Sequence, residues 1–228
     1  MNRIAAAVTR RLRRLAALAT VPFYCRRYRL EKIDPCYFVR PTLNAKSVVL
    51  DCGLGNDADF SDAIITRFSA QCHGVDPTKK HQSSLARVAS RHGDRLRLYP
   101  VALAGTSGSM TFYEARDRVS GSLFGGHVNA SGAVAYQVRS LSFEDLLAEA
   151  AIARPDLLKL DIEGAEYDVL ASIADKTLKN IGQIIVEFHH YCVEGITERD
   201  TRQVVSRITG LGFQSYSVDG INYLFFHA

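Results

Sequence analysis

The 228-residue sequence has few prolines and few cysteines, and each scarcity limits what the chain can be. With six prolines and 16 glycines, it is neither collagen-like nor of low complexity. The five cysteines lie far apart, form no C-x-x-C pair and are odd in number, which fits neither a disulfide framework nor a zinc knuckle. We therefore expect reduced thiols and a reducing, cytoplasmic compartment. With 47% apolar and 23% charged residues, the sequence predicts a folded globular protein.

Excess positive charge is missing from most of the chain. Residues 1–40 hold ten Lys and Arg against two acids, whereas the remainder holds 18 basic and 22 acidic residues. The basic character therefore belongs to the N-terminal segment. A protein that binds nucleic acid at its main site usually carries positive charge on the folded body beside that site. The charge distribution argues against a nucleic-acid partner.

The basic N-terminal segment has the periodicity of an amphipathic helix. Its longest uncharged run, residues 15–25, has eleven residues and is too short to span a bilayer. No small-residue cleavage site follows this run, which argues against a secretory signal. Two interpretations stay open: residues 1–30 associate peripherally with an anionic membrane, with Phe23 and Tyr24 at headgroup depth, or the apolar stripe packs on the protein itself. The stripe comprises Ile4, Val8, Leu12, Leu15 and Ala19.

From residue 46 onward, short apolar runs alternate with helical periodicity. This rhythm predicts an α/β domain over residues 46–228 after an extension over residues 1–45. We expect a doubly wound, mostly parallel sheet that finishes in an antiparallel hairpin. The predicted strands are residues 47–50, 71–75, 96–101, 157–160, 184–188, 213–218 and 223–226, and the predicted helices are residues 60–68, 82–91, 143–151, 165–174 and 201–209.

One segment, residues 105–136, breaks this rhythm because it is rich in Gly and Ser. We predict a hairpin strand at residues 109–113 and a long mobile loop at residues 119–129, and we expect residues 105–136 as a whole to shape a ligand pocket. The following helix is predicted to begin with a capping box, in which Ser142 and Asp145 are three residues apart.

Acidic residues end three of the predicted strands: Asp51, Asp76 and Asp161. In an open parallel sheet, ligands bind beyond the carboxyl ends of the strands. Gly53 and Gly55 follow in a strand-to-helix turn, where the missing side chains let the backbone approach a ligand. A carboxylate at Asp51 would repel a pyrophosphate but suits a cofactor with an ammonium group, and Asp76 is placed to accept hydrogen bonds from two ribose hydroxyls. These residues predict S-adenosylmethionine as the cofactor.

The same residues leave other interpretations open. The two glycines also suit a tight turn without a ligand, and Asp76 also suits the cap of the next helix. A dinucleotide fingerprint has a third small residue at position 58, which Ala58 supplies. A nucleotide-dependent oxidoreductase that binds NAD is therefore the alternative enzyme class.

The run L-L-K-L-D-I-E-G-A-E-Y-D-V-L at residues 157–170 resembles the signature of the FkbM family of S-adenosylmethionine-dependent methyltransferases. Other short motifs of that family occur in the same order, so the resemblance covers about residues 46–190 and the final hairpin. These motifs are V-V-L-D-C-G-L-G at residues 48–55, V-D-P at 75–77, V-A-L at 101–103, S-L-S-F-E-D-L-L at 140–147 and I-I-V-E-F-H at 184–189.

The resemblance implies a Rossmann-like, class I methyltransferase fold with a seven-stranded sheet. It implies methyl transfer to a hydroxyl of a small-molecule or glycan acceptor, such as a sugar, glycolipid or secondary metabolite. It adds Ala102 and Asp161 to the residues expected to contact the cofactor. Two positions depart from the family pattern: Asp57 replaces a usual glycine, and Asp76 replaces the commoner Glu. The first departure leaves open a non-catalytic membrane-surface adaptor that keeps the fold.

Methyl transfer to an alcohol needs a group that holds or removes the hydroxyl proton. Asp161 and Glu163 follow the fourth strand of the predicted parallel sheet, and Glu187 and His189 lie at the end of the fifth, so both pairs are expected to face one cleft. We predict His189 or Asp161 as the base and Glu163 as a residue that orients substrate or cofactor. Asp161 and Glu187 offer oxygen ligands, but two scattered acids predict no metal site. As alternatives, Asp161 caps the following helix and His189 is an ordinary loop residue.

Overall fold

The computed structural model describes residues 19–33, 35–116, 119–127 and 132–227. The strands are β1 (Leu30–Ile33), β2 (Cys36–Val39), β3 (Val48–Cys52), β4 (Gln71–Val75), β5 (Leu96–Tyr99), β6 (Ala102–Leu103), β7 (Gly108–Glu114), β8 (Gly121–Ser122), β9 (Val134–Leu141), β10 (Leu157–Leu160), β11 (Gln183–Glu187), β12 (Gln214–Ser217) and β13 (Asn222–Phe226). The helices are α1 (described from residue 19 to 28), α2 (Asp59–Phe68), α3 (Gln82–His92), α4 (Phe143–Glu149), α5 (Glu166–Ser172), α6 (Asp175–Asn180) and α7 (Glu198–Gly210).

The central sheet has seven strands in the order β12-β13-β11-β10-β3-β4-β5. The five strands from β11 to β5 are parallel, and β13 pairs antiparallel with β11 and β12. All four residues of β10 are buried, as expected for a central parallel strand. Its successive residues Leu157 and Leu158 enter two different apolar clusters. The predicted α/β fold, with its mostly parallel seven-stranded sheet and C-terminal antiparallel hairpin, is confirmed.

A second sheet of four strands, in the order β6-β9-β7-β8, forms an arm beside the central sheet. The predicted strand at residues 109–113 lies within β7, which pairs along its whole length with β9. The prediction of a long loop at residues 119–129 is wrong in part, because β8 pairs with the end of β7 and His127 forms a bridge with Val193. Residues 117–118 and 128–131 lie outside the described part of the chain.

Several element ends differ from the predictions. Because β3 continues to Cys52, Asp51 lies within the strand rather than at its end. The predicted helix at residues 165–174 is shorter, as α5, and a separate α6 follows. Ser142 Oγ accepts a hydrogen bond from Asp145 N at 3.2 Å, but the Ser142 N–H donates to Ser107 Oγ, so the capping box is incomplete.

The described part of the predicted extension packs on the central sheet. The backbone N–H of Val39 donates to the Gln183 side chain at 2.7 Å, and Phe38 is fully buried. Tyr24, expected at headgroup depth, has its ring 4.9 Å from the ring of Tyr216, whereas Phe23 is 65% exposed. The predicted division of the chain after residue 45 stays a prediction. Of the apolar stripe, the described residues include only Ala19, which is exposed; Ile4, Val8, Leu12 and Leu15 lie outside them.

No helix in the described ranges combines the length and apolarity needed to cross a membrane.

Candidate active site

A cavity of about 370 Å³ opens at the carboxyl ends of β3, β4 and β10. The arm covers part of it with Phe112 of β7 and with residues 119–123. The predicted site residues on its wall are Gly53, Gly55, Asp76, Ala102, Asp161 and Glu163. The parallel sheet therefore brings together residues that are up to 110 positions apart in the sequence.

Gly53 and Gly55 form the turn after β3 with positive φ angles of 88° and 63°. A Cβ atom on Gly53 would lie 1.7 Å from the carbonyl oxygen of Asp161, so no side chain fits there. The Gly53 N–H donates to the Val75 carbonyl at 2.9 Å. The glycine at position 53 is therefore required by the loop that follows β10, in addition to lining the cavity.

Asp51 has a structural position that the sequence analysis did not anticipate. Its side chain is buried beside the turn, where it accepts a hydrogen bond from Ser61 at 2.7 Å and lies 3.3 Å from Lys159 Nζ. Lys159 also donates to the Gly53 carbonyl at 2.9 Å and lies 3.4 Å from Asp161. Burial alone would lower the pKa of Lys159, but Asp51 and Asp161 raise it above its usual value. Asp51 thus holds the turn through Lys159, and it does not line the cavity.

Asp76 lies immediately after β4, with its carboxylate nearly buried at the cavity wall. One oxygen accepts from Leu54 N at 3.0 Å and the other from Thr78 N at 2.8 Å. Each oxygen keeps acceptor capacity for one further donor, as two ribose hydroxyls would require. Burial raises the pKa of Asp76 above its usual value. The alternative helix-capping role is not observed, because His81 occupies the N-cap of α3.

Glu166, at the start of α5, organises the loop that follows β10. Its fully buried carboxylate accepts hydrogen bonds from Ile162 N at 2.8 Å and from Gly164 N at 3.0 Å. It also binds His189 Nδ1 at 2.8 Å. The adjacent Glu163 has a φ angle of 54°, a strained backbone conformation of the kind found at functional sites. Glu166 was not among the residues predicted for the site, and the only sequence signal for it was its place as the last acid of E-G-A-E.

His189 joins the acidic residues of the two strand ends. Its Nε2 atom lies 3.7 Å from an oxygen of Asp161, 3.7 Å from one of Glu163 and 4.0 Å from one of Glu187. Burial alone would lower the pKa of His189, but Glu166, Glu163 and Asp161 together raise it to about 9. His189 donates a hydrogen bond to Glu166, whereas its Nε2 lies beyond hydrogen-bond distance of the other three carboxylates. The expectation that both pairs face one cleft holds in part: the two pairs lie together, but the described residues that line the cavity include Asp161 and Glu163 and neither Glu187 nor His189.

Among the described residues, one group of three side chains brings together donor atoms that could hold a metal ion. The sequence analysis had considered Asp161 and Glu187 as oxygen ligands. Neither of these two residues belongs to the group. The group comprises His127, Glu163 and Cys192.

Charge on the cavity wall has one sign. Among the described residues that line the cavity, the ionisable ones are Asp76, Asp161 and Glu163. In a partly enclosed site, three carboxylates favour a cationic ligand and oppose a pyrophosphate.

A comparison with models of protein families identifies the family of this chain. Residues 20–215 match the model described as the methyltransferase FkbM domain. The chain belongs to the FkbM methyltransferase family. The resemblance noted in the sequence motifs is therefore confirmed.

Two curated relatives match this chain over very different shares of their own length. The 2-O-methyltransferase NoeI of Sinorhizobium fredii is 27% identical over 176 residues, which cover 70% of this chain and 65% of NoeI. The antimetabolite synthetase AmbE of Pseudomonas aeruginosa is 37% identical over 57 residues, which cover 25% of this chain and 3% of AmbE.

Solved structures of other methyltransferases resemble the FkbM chain at low sequence identity. The precorrin-6y C5,15-methyltransferase of Geobacter metallireducens has a TM-score of 0.46 and 9% identity, covering 82% of each chain. An rRNA methylase of Streptococcus thermophilus has a TM-score of 0.45 and 10% identity, covering 81% of this chain and 87% of that one.

Proposed function

We propose that the protein is an S-adenosylmethionine-dependent O-methyltransferase that acts on a hydroxyl of a sugar, glycolipid or secondary metabolite. The observation that carries this proposal is the cavity wall, whose ionisable residues are all acids in the described chain. Membership of the FkbM family supports methyl transfer. The relative named as a 2-O-methyltransferase supports oxygen as the acceptor atom.

Different residues of the cavity wall suit different chemical groups of the cofactor. Asp76 accepts hydrogen bonds from the ribose hydroxyls, since both of its oxygens have acceptor capacity left. Val75, Ala102 and Phe112 form apolar surface against which the adenine packs. Asp161 and Glu163 face the positively charged end. When bound, S-adenosylmethionine supplies an electrophilic methyl carbon on a cationic sulfur.

Asp161 is our choice for the base, because it lines the cavity and belongs to the cluster at the ends of β10 and β11. Its carboxylate accepts the proton of the acceptor hydroxyl as the oxygen becomes the nucleophile. Glu163 accepts a hydrogen bond from a second polar group of the acceptor molecule and so orients the acceptor. His189 is a positioning residue, since Glu166 fixes its Nδ1 side and Nε2 faces the two carboxylates.

The NAD-dependent oxidoreductase is disfavoured by the same wall. A pyrophosphate beside the turn would meet acidic side chains and no lysine or arginine among the described lining residues. The non-catalytic adaptor rested on Asp57, which replaces a usual glycine of the family. Asp57 does not block the cavity, because it is exposed and does not line it. The arrangement therefore supports catalysis over a role as a cofactor-free adaptor.

For the N-terminal segment, we keep peripheral association of residues 1–30 with an anionic membrane, on the cytoplasmic side, as a proposal. Phe23 exposes most of its side chain beside the basic residues Arg26 and Arg27. No nucleic-acid partner is proposed. Co-sedimentation with anionic vesicles at low salt, lost at high salt and absent with neutral vesicles, tests the association.

Methyl transfer is tested with S-adenosylmethionine that carries a trideuterated methyl group and a panel of sugar alcohols, glycolipids and phenols. We expect mass spectrometry to detect a trideuteromethyl ether on at least one acceptor. Asp161→Asn should lower kcat by roughly a hundredfold or more, because the proton acceptor is lost.

The surface variant Asp94→Asn serves as the control and should react like the wild type. Labelled methyl on nitrogen or carbon instead of oxygen would contradict O-methylation. Full activity of Asp161→Asn would contradict the assignment of the base.

A further inference from the structure

Three side chains from separate loops meet beside the cavity. His127 follows β8, Glu163 follows β10 and Cys192 follows β11. His127 Nε2 lies 2.9 Å from Glu163 Oε2 and 3.2 Å from Cys192 Sγ. One donor atom from each residue lies within 4.8 Å of the other two. His127 and Cys192 are buried, whereas Glu163 reaches the cavity wall.

One ring nitrogen cannot satisfy both of these neighbours equally. A protonated Nε2 donates to the Glu163 carboxylate, and the sulfur is then a weak second acceptor. An unprotonated Nε2 accepts from the Cys192 thiol, and its lone pair then lies 2.9 Å from a carboxylate oxygen, which is repulsive. With Nε2 protonated, the Cys192 thiol donates to the His189 carbonyl at 3.5 Å, so the cluster is satisfied without an ion. With Nε2 unprotonated and Cys192 ionised, nitrogen, oxygen and sulfur would all present lone pairs to a cation held among them.

We propose that His127, Glu163 and Cys192 bind a divalent transition-metal ion, for which Zn²⁺ is the best fit. Imidazole, carboxylate and thiolate are the donors that Zn²⁺ accepts, whereas Mg²⁺ and Ca²⁺ prefer oxygen ligands alone. Zn²⁺ bonds of about 2.0 to 2.3 Å at tetrahedral angles separate the ligand atoms by about 3.3 to 3.6 Å. The two separations from His127 Nε2, 2.9 and 3.2 Å, therefore need to open by about half an ångström or less, and the third separation lies within 4.8 Å.

Three protein ligands leave one tetrahedral position for water or another oxygen donor. His127 and Cys192 are buried, and Glu163 is the ligand that also lines the cavity. Binding releases the thiol proton, and the imidazole binds in its neutral form. The proposal concerns a binding site and does not depend on the proposed methyl transfer.

The backbone segments that carry the three residues lie in close contact with one another. His127 pairs with Val193, and the Glu194 N–H donates to the Gly126 carbonyl at 3.4 Å. A Cβ atom on Gly164 would lie 2.6 Å from the Val193 side chain. A bound ion would therefore join the arm to the loops after β10 and β11.

The test uses the full-length protein, stripped with a chelator and titrated with Co²⁺ in place of Zn²⁺. We expect one equivalent to bind and to produce a thiolate-to-cobalt charge-transfer band with the strong visible bands of tetrahedral cobalt. Equimolar Zn²⁺ should displace the cobalt. Cys192→Ser should remove the charge-transfer band, and His127→Gln should weaken Co²⁺ binding at least tenfold.

Cys25→Ser is the matched control, since Cys25 lies on α1 away from the three ligands, and it should keep the band. The wild type alone decides the question if the variants fail to fold. A wild type without the thiolate band, or a band that persists in folded Cys192→Ser, would overturn the proposal. The three residues would then form a hydrogen-bonded cluster, in which Cys192 donates to the His189 carbonyl at 3.5 Å.

Discussion

Lys159 is a buried cation in an otherwise apolar strand, and its partners explain why it is tolerated. It contacts Asp51, Asp161 and the carbonyl of Gly53, so it links β3, β10 and the first turn of the site. A buried ion pair contributes little net stability, but removal of one partner leaves an unpaired charge in the interior. The role of Lys159 is therefore to keep Asp51 and the turn in place.

We predict that Lys159→Met lowers the free energy of unfolding by about 3 to 5 kcal/mol, because Asp51 then lacks its buried counter-charge. Urea unfolding followed by circular dichroism measures this change. The exposed Lys176→Met is the matched control and should have little effect. The double variant Asp51→Asn with Lys159→Met should be more stable than Lys159→Met alone. A loss below about 1 kcal/mol would contradict this account of the pair.

Sequence analysis identified residues well where position along a strand determines exposure. Asp76 and Asp161 were expected at the site because the carboxyl ends of parallel strands share one edge, and both line the cavity. Asp51 was expected at the cofactor because its strand was predicted to end at residue 50, two residues before the observed end of β3 at Cys52. Its partner Lys159 was visible only as a lysine in an apolar run, since the pairing joins residues 108 positions apart.

At the scale of elements, local signals located the parallel strands and most helices, but they did not predict α6. The strands β4 and β10 have the predicted bounds. For β10, the signal was a short and mostly apolar run between Asp156 and Asp161. The arm was harder to predict, because β7 pairs with β9 across residues 115–133, and such pairing has no local sequence signal. The bridge between His127 and Val193 joins residues 66 positions apart, so local sequence signals predicted only a loop around His127.

The turn of the terminal hairpin depends on Asp219. Its carboxylate accepts hydrogen bonds from Ile221 N at 2.9 Å and from Asn222 N at 2.8 Å. Partial burial raises the pKa of Asp219, but the bonds from Asn222 and Ile221 outweigh it and hold the pKa below its usual value. The ionised form therefore stabilises the hairpin between β12 and β13.

We predict that Asp219→Ala lowers the free energy of unfolding by about 1 to 2 kcal/mol near neutral pH. Because the folded-state pKa is lowered, the ionised contribution is complete above the unfolded value of about 3.9 and disappears as pH falls through the folded value. The difference between wild type and variant, measured by urea unfolding, should shrink near pH 3.

Asp219→Asn is the control, because it keeps one acceptor oxygen without the titratable charge. It should lose less stability than the alanine variant and show a weaker dependence on pH. A difference between wild type and Asp219→Ala that grows on acidification would be inconsistent with the lowered pKa.

At the scale of the whole molecule, the central sheet and the arm enclose one cavity. The sheet supplies the turn after β3, Asp76 after β4 and the acids after β10, and the arm covers the opposite side with Phe112 and Val119. A Cβ atom on Gly55 would lie 3.5 Å from the Val119 side chain, so the two parts meet at the site. Ligand binding should therefore depend on both parts.

The central claim is that this cavity binds S-adenosylmethionine through Asp76, and calorimetric titration with S-adenosylhomocysteine tests it most directly. Asp76→Ala should weaken binding by about tenfold to a hundredfold, since two ribose hydroxyls lose a buried acceptor. The control variant Asp57→Ala alters an exposed acid that follows β3, and it should bind S-adenosylhomocysteine like the wild type. Absence of binding to the wild type, or wild-type affinity in a folded Asp76→Ala protein, would contradict the claim.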